Sequence, residues 1–282
     1  MGDLDGRTFL ITGANTGIGK ETARALAGRG ARLHLACRSQ DGGRAAIEEI
    51  SAQTGNRNLE LRSLDLGDLG SVRRCAEDFL ATGEPLNGLI NNAGVAGSRG
   101  ITASGFERMF GTNHVGPFLF TQLLLDRLRE SAPARIVNVA SAAHYSAPGI
   151  DFKAVRRPTR SITGMREYSV SKLANVLHAQ ELARRLEGSG VTTYALHPGV
   201  IASDIWRRVP WPVRPLMKRR MATPEDGART SIYCATSAQV AGESGRYYDD
   251  CRAKEPGAAV TAELAEELWR RSMEWTQPTV SA

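Results

Sequence analysis

The feature that most constrains the fold of this 282-residue chain is a glycine-rich turn between an apolar run and a helix-forming segment. Residues 7–12 read RTFLIT, the pattern of a buried strand, and Gly13, Gly17 and Gly19 follow. Glycines let the backbone approach a diphosphate closely, and a helix start offers free N–H groups to it. The spacing G-x-x-x-G-x-G differs from the dinucleotide fingerprint G-x-G-x-x-G, so the turn alone is only moderately specific.

The rest of the chain alternates predicted strands with predicted helices. The predicted strands cover residues 7–12, 31–37, 59–63, 86–91, 135–140, 191–196 and a short seventh near 246–248. The first predicted helix follows the glycine turn and ends at about residue 29, and the others cover residues 41–53, 69–81, 112–130 and 167–186. Such alternation is typical of an α/β fold with a parallel sheet doubly wound by helices on both faces. Without a repeat or linker, residues 1–282 are predicted to form one domain.

The net charge of +6 comes from one segment. Residues 205–222, IWRRVPWPVRPLMKRRMA, contain six cations and no acid, so the remainder is balanced. A nucleic-acid binder would spread its basic charge over a broad face, so we expect no nucleic-acid partner. Aromatic and apolar residues mixed with cations suit reversible contact with an acidic membrane surface. The alternative is a substrate-covering helix with a solvated basic face.

The sequence contains neither an apolar run long enough to cross a membrane nor a signal-peptide pattern at its start. We therefore expect a cytoplasmic protein, peripheral to a membrane if residues 205–222 make the contact described above. The histidines and cysteines show no metal-ligand spacing, so no metal site is predicted.

The residues after the second predicted strand bear on cofactor choice. In doubly wound folds an acid there binds the ribose 2′-OH of NAD, whereas an arginine accommodates the 2′-phosphate of NADP. This chain reads Ala36-Cys37-Arg38-Ser39, with no acid before Asp41. The pattern favours NADP(H), unless Arg38 is simply a surface arginine.

Tyr168 and Lys172 form the only Tyr-x-x-x-Lys pair of the sequence. They are four residues apart on a predicted helix, so both side chains project from one face. An ammonium group beside a phenol favours the phenolate and is expected to lower the tyrosine pKa. Such a tyrosine can donate a proton to a carbonyl oxygen, or take one from an alcohol, while a cofactor moves hydride.

Polar and small residues follow the fourth and fifth predicted strands, at the edge where open α/β sheets bind ligands. Ser141 follows the fifth strand and could hold a substrate oxygen, although a serine there is often only a cap. Residues 91–94, Asn-Asn-Ala-Gly, could let a cofactor lie close. Asn113 near a helix start is either functional or structural.

Together these motifs resemble the short-chain dehydrogenase/reductase family, from Gly6 to about Thr276. The stretches TGANTGIGKETA, LACRS, NHVGPFLFTQLLL, SKLANVLHAQELARRL and HPGV are similar to its retinol dehydrogenase branch. The resemblance implies a Rossmann-type sheet of seven strands in the order 3-2-1-4-5-6-7 and NADP(H) as cofactor. It implies a small hydrophobic aldehyde, ketone or alcohol as substrate, either retinal/retinol-like or lipid-derived.

The resemblance also assigns residues. The implied catalytic set is Asn113, Ser141, Tyr168 and Lys172. The implied cofactor-binding set is Gly13, Asn15, Thr16, Gly17, Ile18, Gly19, Arg38, Asp65, Leu66, Asn92, Ala93, Gly94, Tyr168, Lys172, Pro198, Gly199 and Val200. A substrate lid is implied at about 200–222, and a homodimer through the 112–130 and 167–186 helices is a further candidate.

The implied roles are specific. Lys172 would bind the nicotinamide ribose and lower the Tyr168 pKa, and Tyr168 would be the general acid in reduction. Ser141 would position the substrate oxygen, and Asn113 would hold a water that links Lys172 to solvent. The alternative function is a non-catalytic NADP(H)-binding sensor or scaffold, against which the intact set of four argues.

Overall fold

The computed structural model describes residues 2–199 and 223–277. Val200 of the predicted cofactor set, the predicted lid over 200–222 and the basic segment 205–222 lie outside the described residues.

One sheet forms the centre of the described structure. Its strands are β1 Thr8–Thr12, β2 Arg32–Cys37, β3 Leu59–Ser63, β4 Gly88–Asn91, β5 Ala134–Val139, β6 Val191–His197, β7 Arg246–Asp249 and β8 Arg252–Lys254. Within the described residues they pair in the order β3-β2-β1-β4-β5-β6-β7-β8. The pairs from β3 to β7 are parallel, which confirms the predicted fold class and the order of its seven strands.

The prediction of seven strands was wrong by one, because β8 adds an antiparallel edge to β7. The reversal depends on Asp250 and Cys251, which adopt left-handed φ angles of 49° and 58°. These two residues form a turn tight enough for Asp249 to pair with Arg252. Since all three residues of β8 are exposed, no apolar period marks the strand in the sequence.

Helices cover both faces of the sheet. They are α1 Gly17–Gly28, α2 Gln40–Thr54, α3 Leu69–Leu80, the short α4 Arg108–Phe110, α5 Gly116–Glu130, α6 Met165–Arg185, α7 Pro224–Thr236 and α8 Ala262–Thr276. Residues of α1, α2 and α7 pack into one core, and residues of α3 and α5 pack into a second. No helix within the described ranges is long and apolar enough to cross a membrane.

Helices α7 and α8 were not predicted from the sequence. Thr223 and Asp226 form a reciprocal capping box at the start of α7, with Pro224 at its first turn. The Thr261 hydroxyl accepts a hydrogen bond from Leu264 N–H at the start of α8. These capping signals are visible in the sequence and could have located both helices.

Helix α8 packs on α5 and α6, the helices of the predicted homodimer contact. The Trp269 ring centre lies 5.1 Å from that of Phe118, and the Arg185 guanidinium lies 4.5 Å from the Trp269 ring centre. The helix is also joined to the turn before α5, since His114 Nε2 lies 3.0 Å from Ser272 Oγ. The homodimer stays a prediction, and α8 covers part of the surface that it would use.

Candidate active site

The candidate site lies where β1, β4 and β5 end side by side. Ile11 pairs with Ile90, and Asn91 with Asn138, so the three carboxyl ends reach the same edge of the sheet. The strand order reverses between β1 and β4, because the chain builds outward to β3 before it returns to β4. Ligands of open α/β sheets bind in the crevice at such a reversal.

A cleft of about 540 Å³ occupies this crevice. Twelve residues of the predicted cofactor set line it: Gly13, Asn15, Thr16, Gly17, Ile18, Gly19, Arg38, Asp65, Leu66, Asn92, Ala93 and Gly94. Six lining residues were not predicted: Ala36, Ser39, Leu64, Val95, Thr112 and Pro224. Pro198 and Gly199 follow β6 and are half-buried, but they are not part of the cleft lining that the described residues form.

The glycine turn leaves no room for a side chain at Gly19. A Cβ atom on Gly19 would lie 2.4 Å from Asn92 Nδ2 and 2.5 Å from the Gly13 carbonyl oxygen. Helix α1 begins at Gly17, and the Thr16 side chain makes no capping hydrogen bond to it. The first N–H groups of α1 thus remain available at the cleft, which fits a phosphate group.

Thr12 fastens the β1 end to the β4 end. Its Oγ1 accepts hydrogen bonds of 3.0 Å each from Asn92 N–H and Ala93 N–H. The Asn92 amide in turn donates to the Thr12 carbonyl oxygen at 2.8 Å. Thr12 was not predicted as a site residue, because a threonine at the end of an apolar run looks like an ordinary strand residue.

Arg38 lies at the rim of the cleft. Its side chain is exposed, and it forms no ion pair with any residue in the described part of the chain. The next residue, Ser39, also lines the cleft, and its hydroxyl oxygen accepts a hydrogen bond from Gly42 N–H at 3.2 Å. The guanidinium is therefore free to meet an anionic group at this rim.

Lys172 lies buried beside the inner end of the cleft. Its Nζ donates to the Val139 carbonyl oxygen at 2.8 Å, and the side chain is 4% exposed. A Cβ on Gly94 would lie 3.3 Å from this Nζ, so the glycine keeps the path from cleft to lysine open. Burial lowers the Lys172 pKa to about 8, because desolvation penalises the ammonium form.

The sequence predicted a lowered pKa for Tyr168, and this direction was wrong. Burial raises the Tyr168 pKa, and the hydrogen bond from Ser141 opposes this effect without reversing it. Lys172 Nζ lies 5.7 Å from the centre of the Tyr168 ring, and its hydrogen bond goes to the Val139 carbonyl. The phenol is therefore protonated at neutral pH, the form that can donate a proton.

Ser141 and Tyr168 meet from different elements. Ser141 follows β5 and begins a 3-10 turn over Ala142–Ser146, whose Ala143 N–H donates to Ser141 Oγ at 3.2 Å. Tyr168 lies in the first turn of α6. Since Oγ accepts from the backbone, its own proton is free to point toward the Tyr168 oxygen or a ligand.

Asn113 lies in a π-helical turn over Gly111–Val115, a distortion frequent at functional sites. Its Oδ1 accepts from Val95 N–H at 2.8 Å, and its Nδ2 donates to the Val95 carbonyl and to Ser171 Oγ at 2.9 Å each. Ser171 Oγ donates to the Tyr168 carbonyl at 2.7 Å. Both amide protons are thus engaged, and the water-holding role implied by the resemblance stays a prediction.

Ser171 and Val95 were missed, although both connect predicted site residues. Ser171 is fully buried and joins the π-helical turn to α6. No sequence signal separates such a serine from any other residue on a helix. Among residues 2–199 and 223–277, no group of three or more His, Cys, Asp or Glu is arranged to hold a metal ion.

Comparison with known proteins gives the same family as the sequence motifs of the site. A family model described as short chain dehydrogenase matches residues 7–154. Retinol dehydrogenase 12 of Homo sapiens is 47% identical over 281 residues, covering 96% of this chain and 86% of the relative.

Two solved structures are similar over nearly the whole chain. The crystal structure of an uncharacterized protein from Mycobacterium Paratuberculosis has a TM-score of 0.78 at 33% identity, covering 100% of this chain and 97% of that one. The active-site complex of Pseudomonas aeruginosa RhlG with NADP has a TM-score of 0.71 at 27% identity, covering 92% and 98%. The chain therefore belongs to the short chain dehydrogenase family, in its retinol dehydrogenase-like branch, and is an oxidoreductase of CH–OH and C=O groups.

Proposed function

We propose that this protein uses NADP(H) to interconvert a hydrophobic aldehyde or ketone and the corresponding alcohol, with Tyr168 as the general acid and base. The observation that carries the proposal is the meeting of Ser141, Tyr168 and Lys172 beside Gly94, at the inner end of the cleft. The NADP complex of RhlG and the retinol dehydrogenase relative support the cofactor and the substrate class.

The cleft fits a dinucleotide. The uncapped start of α1 suits the diphosphate, and the free guanidinium of Arg38 suits a 2′-phosphate. Asp65 and Leu66 line the same wall. At the inner end, Gly94 has no Cβ to stand against the Lys172 ammonium, which leaves Lys172 within reach of a ribose hydroxyl. Bound there, the nicotinamide supplies hydride to a carbonyl carbon or accepts it from an alcohol carbon.

The side chains of the site do the proton chemistry. In reduction, Ser141 Oγ donates a hydrogen bond to the substrate oxygen and holds it beside the Tyr168 hydroxyl. The Tyr168 O–H donates its proton to that oxygen as the carbonyl becomes an alcohol. The Lys172 ammonium stabilises the phenolate that forms as reduction proceeds, and in oxidation that phenolate takes the proton back from the alcohol.

A substrate screen tests the proposal. We expect NADPH oxidation, followed by absorbance, with retinal or with medium and long aliphatic aldehydes, and slower oxidation with small cyclic ketones. A hydrophobic substrate gains binding energy from each buried methylene, so kcat/KM should rise with apolar area. Absence of NADPH-dependent turnover with all of these carbonyls, and of NADP⁺ reduction with their alcohols, would overturn it.

Arg38 is expected to set the cofactor preference. Arg38→Asp should reverse the ratio of kcat/KM for NADPH over NADH, because the carboxylate repels a 2′-phosphate and accepts hydrogen bonds from a 2′-OH. Arg44→Asp makes the same charge change on an exposed residue of α2, outside the cleft lining, and should leave the ratio nearly unchanged. An unaltered ratio in Arg38→Asp would remove Arg38 from the cofactor site.

A further inference from the structure

His144 is fully buried directly behind Ser141, and both ring nitrogens are bonded to backbone groups. Its Nδ1 lies 2.7 Å from the Ser141 carbonyl oxygen, and its Nε2 lies 3.0 Å from the Gly257 nitrogen. A carbonyl can only accept and a backbone N–H can only donate. Nδ1 must therefore carry the proton and Nε2 must be bare, so the ring is a neutral imidazole in one tautomer.

The Gly257 side of this contact is rigid. Residues 255–257 begin the segment that connects β8 to α8, and Tyr145 O–H donates to the Glu255 carbonyl at 2.8 Å. A Cβ on Gly257 would lie 3.3 Å from the Tyr145 Cα, so the two segments are in close contact. The His144 ring also packs edge to face on Tyr247 of β7, with 4.7 Å between ring centres.

The Ser141 side of the contact determines where the serine hydroxyl lies. The Ser141 carbonyl accepts a second hydrogen bond from His144 N–H at 3.1 Å, and Oγ accepts one from Ala143 N–H. Three hydrogen bonds thus hold Ser141, which lies just after β5. Of these, only the imidazole bond connects Ser141 to a distant part of the chain, since His144 and Gly257 are 113 residues apart.

We propose that His144 is a positioning residue for the reaction: its Nδ1–H holds the Ser141 backbone, and so the Ser141 hydroxyl, against a support made by residues 255–257. The inference rests on the proposed function for the role of Ser141, but the contact itself does not. It differs from a merely structural histidine in a specific way, because the two ring nitrogens have separable tasks. Nε2 secures the 255–257 segment, and Nδ1 secures the serine.

Three substitutions separate these tasks. His144→Asn places an amide where Nδ1 was and keeps a donor for the Ser141 carbonyl, but removes the acceptor for Gly257 N–H. His144→Gln reaches the Nε2 position and keeps that acceptor, but removes the donor to Ser141. His144→Phe keeps the ring volume and removes both. We measure Tm, NADPH Kd, kcat and KM for each variant.

We expect Tm and kcat to be recovered by different variants. His144→Gln should recover most of the Tm lost in His144→Phe, whereas His144→Asn should recover kcat. In His144→Phe and His144→Gln, kcat should fall by about 10- to 100-fold, since a small misplacement of a positioning group has effects of this size. NADPH Kd should stay within a few fold, because His144 does not line the described cofactor cleft. Recovery of kcat by Gln and not by Asn, or kcat that follows Tm across the three variants, would overturn the proposal.

Hydrogen–deuterium exchange separates a failure of this proposal from a failure of the proposed function. Ala143 N–H and His144 N–H both donate to Ser141, so their exchange reports on its position without any substrate. Exchange in the 141–146 peptide should rise in the Phe and Gln variants and return toward wild type in Asn. If the wild type turns over no carbonyl or alcohol, this exchange pattern still decides whether His144 holds Ser141. Equal exchange in all variants would reject the role.

Discussion

Tyr168→Phe is expected to lower kcat by about 100- to 10,000-fold, the range for losing a positioned general acid. The substitution removes one oxygen and keeps the ring, and Tyr168 lies in the first turn of a 21-residue helix that packs in the core. Tyr145, four residues after Ser141, is not placed to replace it, because its side chain is 48% exposed and its hydroxyl donates to the Glu255 carbonyl. Binding of NADPH should change only a few fold.

Single-turnover kinetics and NADPH fluorescence titration measure the two effects separately. Tyr233→Phe is the matched control, because that half-buried phenol donates to Gln239 Oε1 in the turn after α7 and does not line the cleft. The control should keep nearly all of kcat. A Tyr168→Phe enzyme with more than a tenth of wild-type kcat would reject Tyr168 as the acid.

The parts of the site predictable from sequence are those encoded by short motifs. Gly13, Gly17 and Gly19 sit within seven residues of each other after one strand, so the turn can be located without knowing the fold. The order of strands β3 to β7 follows from the alternation, since parallel strands with intervening helices admit few arrangements. Tyr168 and Lys172 share a helix, so their proximity follows from its period.

What the sequence could not supply depends on contacts between distant residues. The Thr12 contacts to Asn92 and Ala93 span 80 and 81 positions, and the His144 contact to Gly257 spans 113. The sign of the Tyr168 pKa shift was mispredicted for a related reason. A neighbouring ammonium can be inferred from i,i+4 spacing, but the burial that outweighs it is set by the whole fold.

Lys172→Met is expected to make the protein more stable and nearly inactive. The pKa of Lys172 falls from 10.5 to about 8, which corresponds to a cost of about 3 kcal/mol for burying the ammonium at neutral pH. The lost hydrogen bond to Val139 offsets about 1 kcal/mol of this, and Asn175 Nδ2 still donates to that carbonyl at 3.3 Å. The net gain of about 2 kcal/mol should raise Tm by roughly 3 to 4 °C at pH 7. Turnover should fall by about 100-fold or more, since Tyr168 loses its stabilising cation.

The pH dependence of the stability difference follows from the same shift. Below about pH 8 the lysine is charged in both folded and unfolded chains, so the full cost of burial is present. Between about pH 8 and 10.5 the folded chain has lost the proton and the unfolded chain keeps it, so wild-type stability from this group rises with pH. The advantage of Lys172→Met should therefore shrink across that window and be much smaller at pH 10 than at pH 7.

Thermal unfolding of both proteins at pH 7 and pH 10 measures this difference. Lys153→Met is the matched control, because Lys153 is exposed and its substitution removes the same charge without relieving any burial. The control should leave Tm within about 1 °C at either pH, as for most surface substitutions. A gain that is the same at pH 10 would mean that it does not come from relieving the buried ammonium. If Lys172→Met instead lowers Tm at pH 7, the buried lysine stabilises the fold. In that case Lys172 would not cost the fold stability, and its burial could not be explained as a cost borne for catalysis.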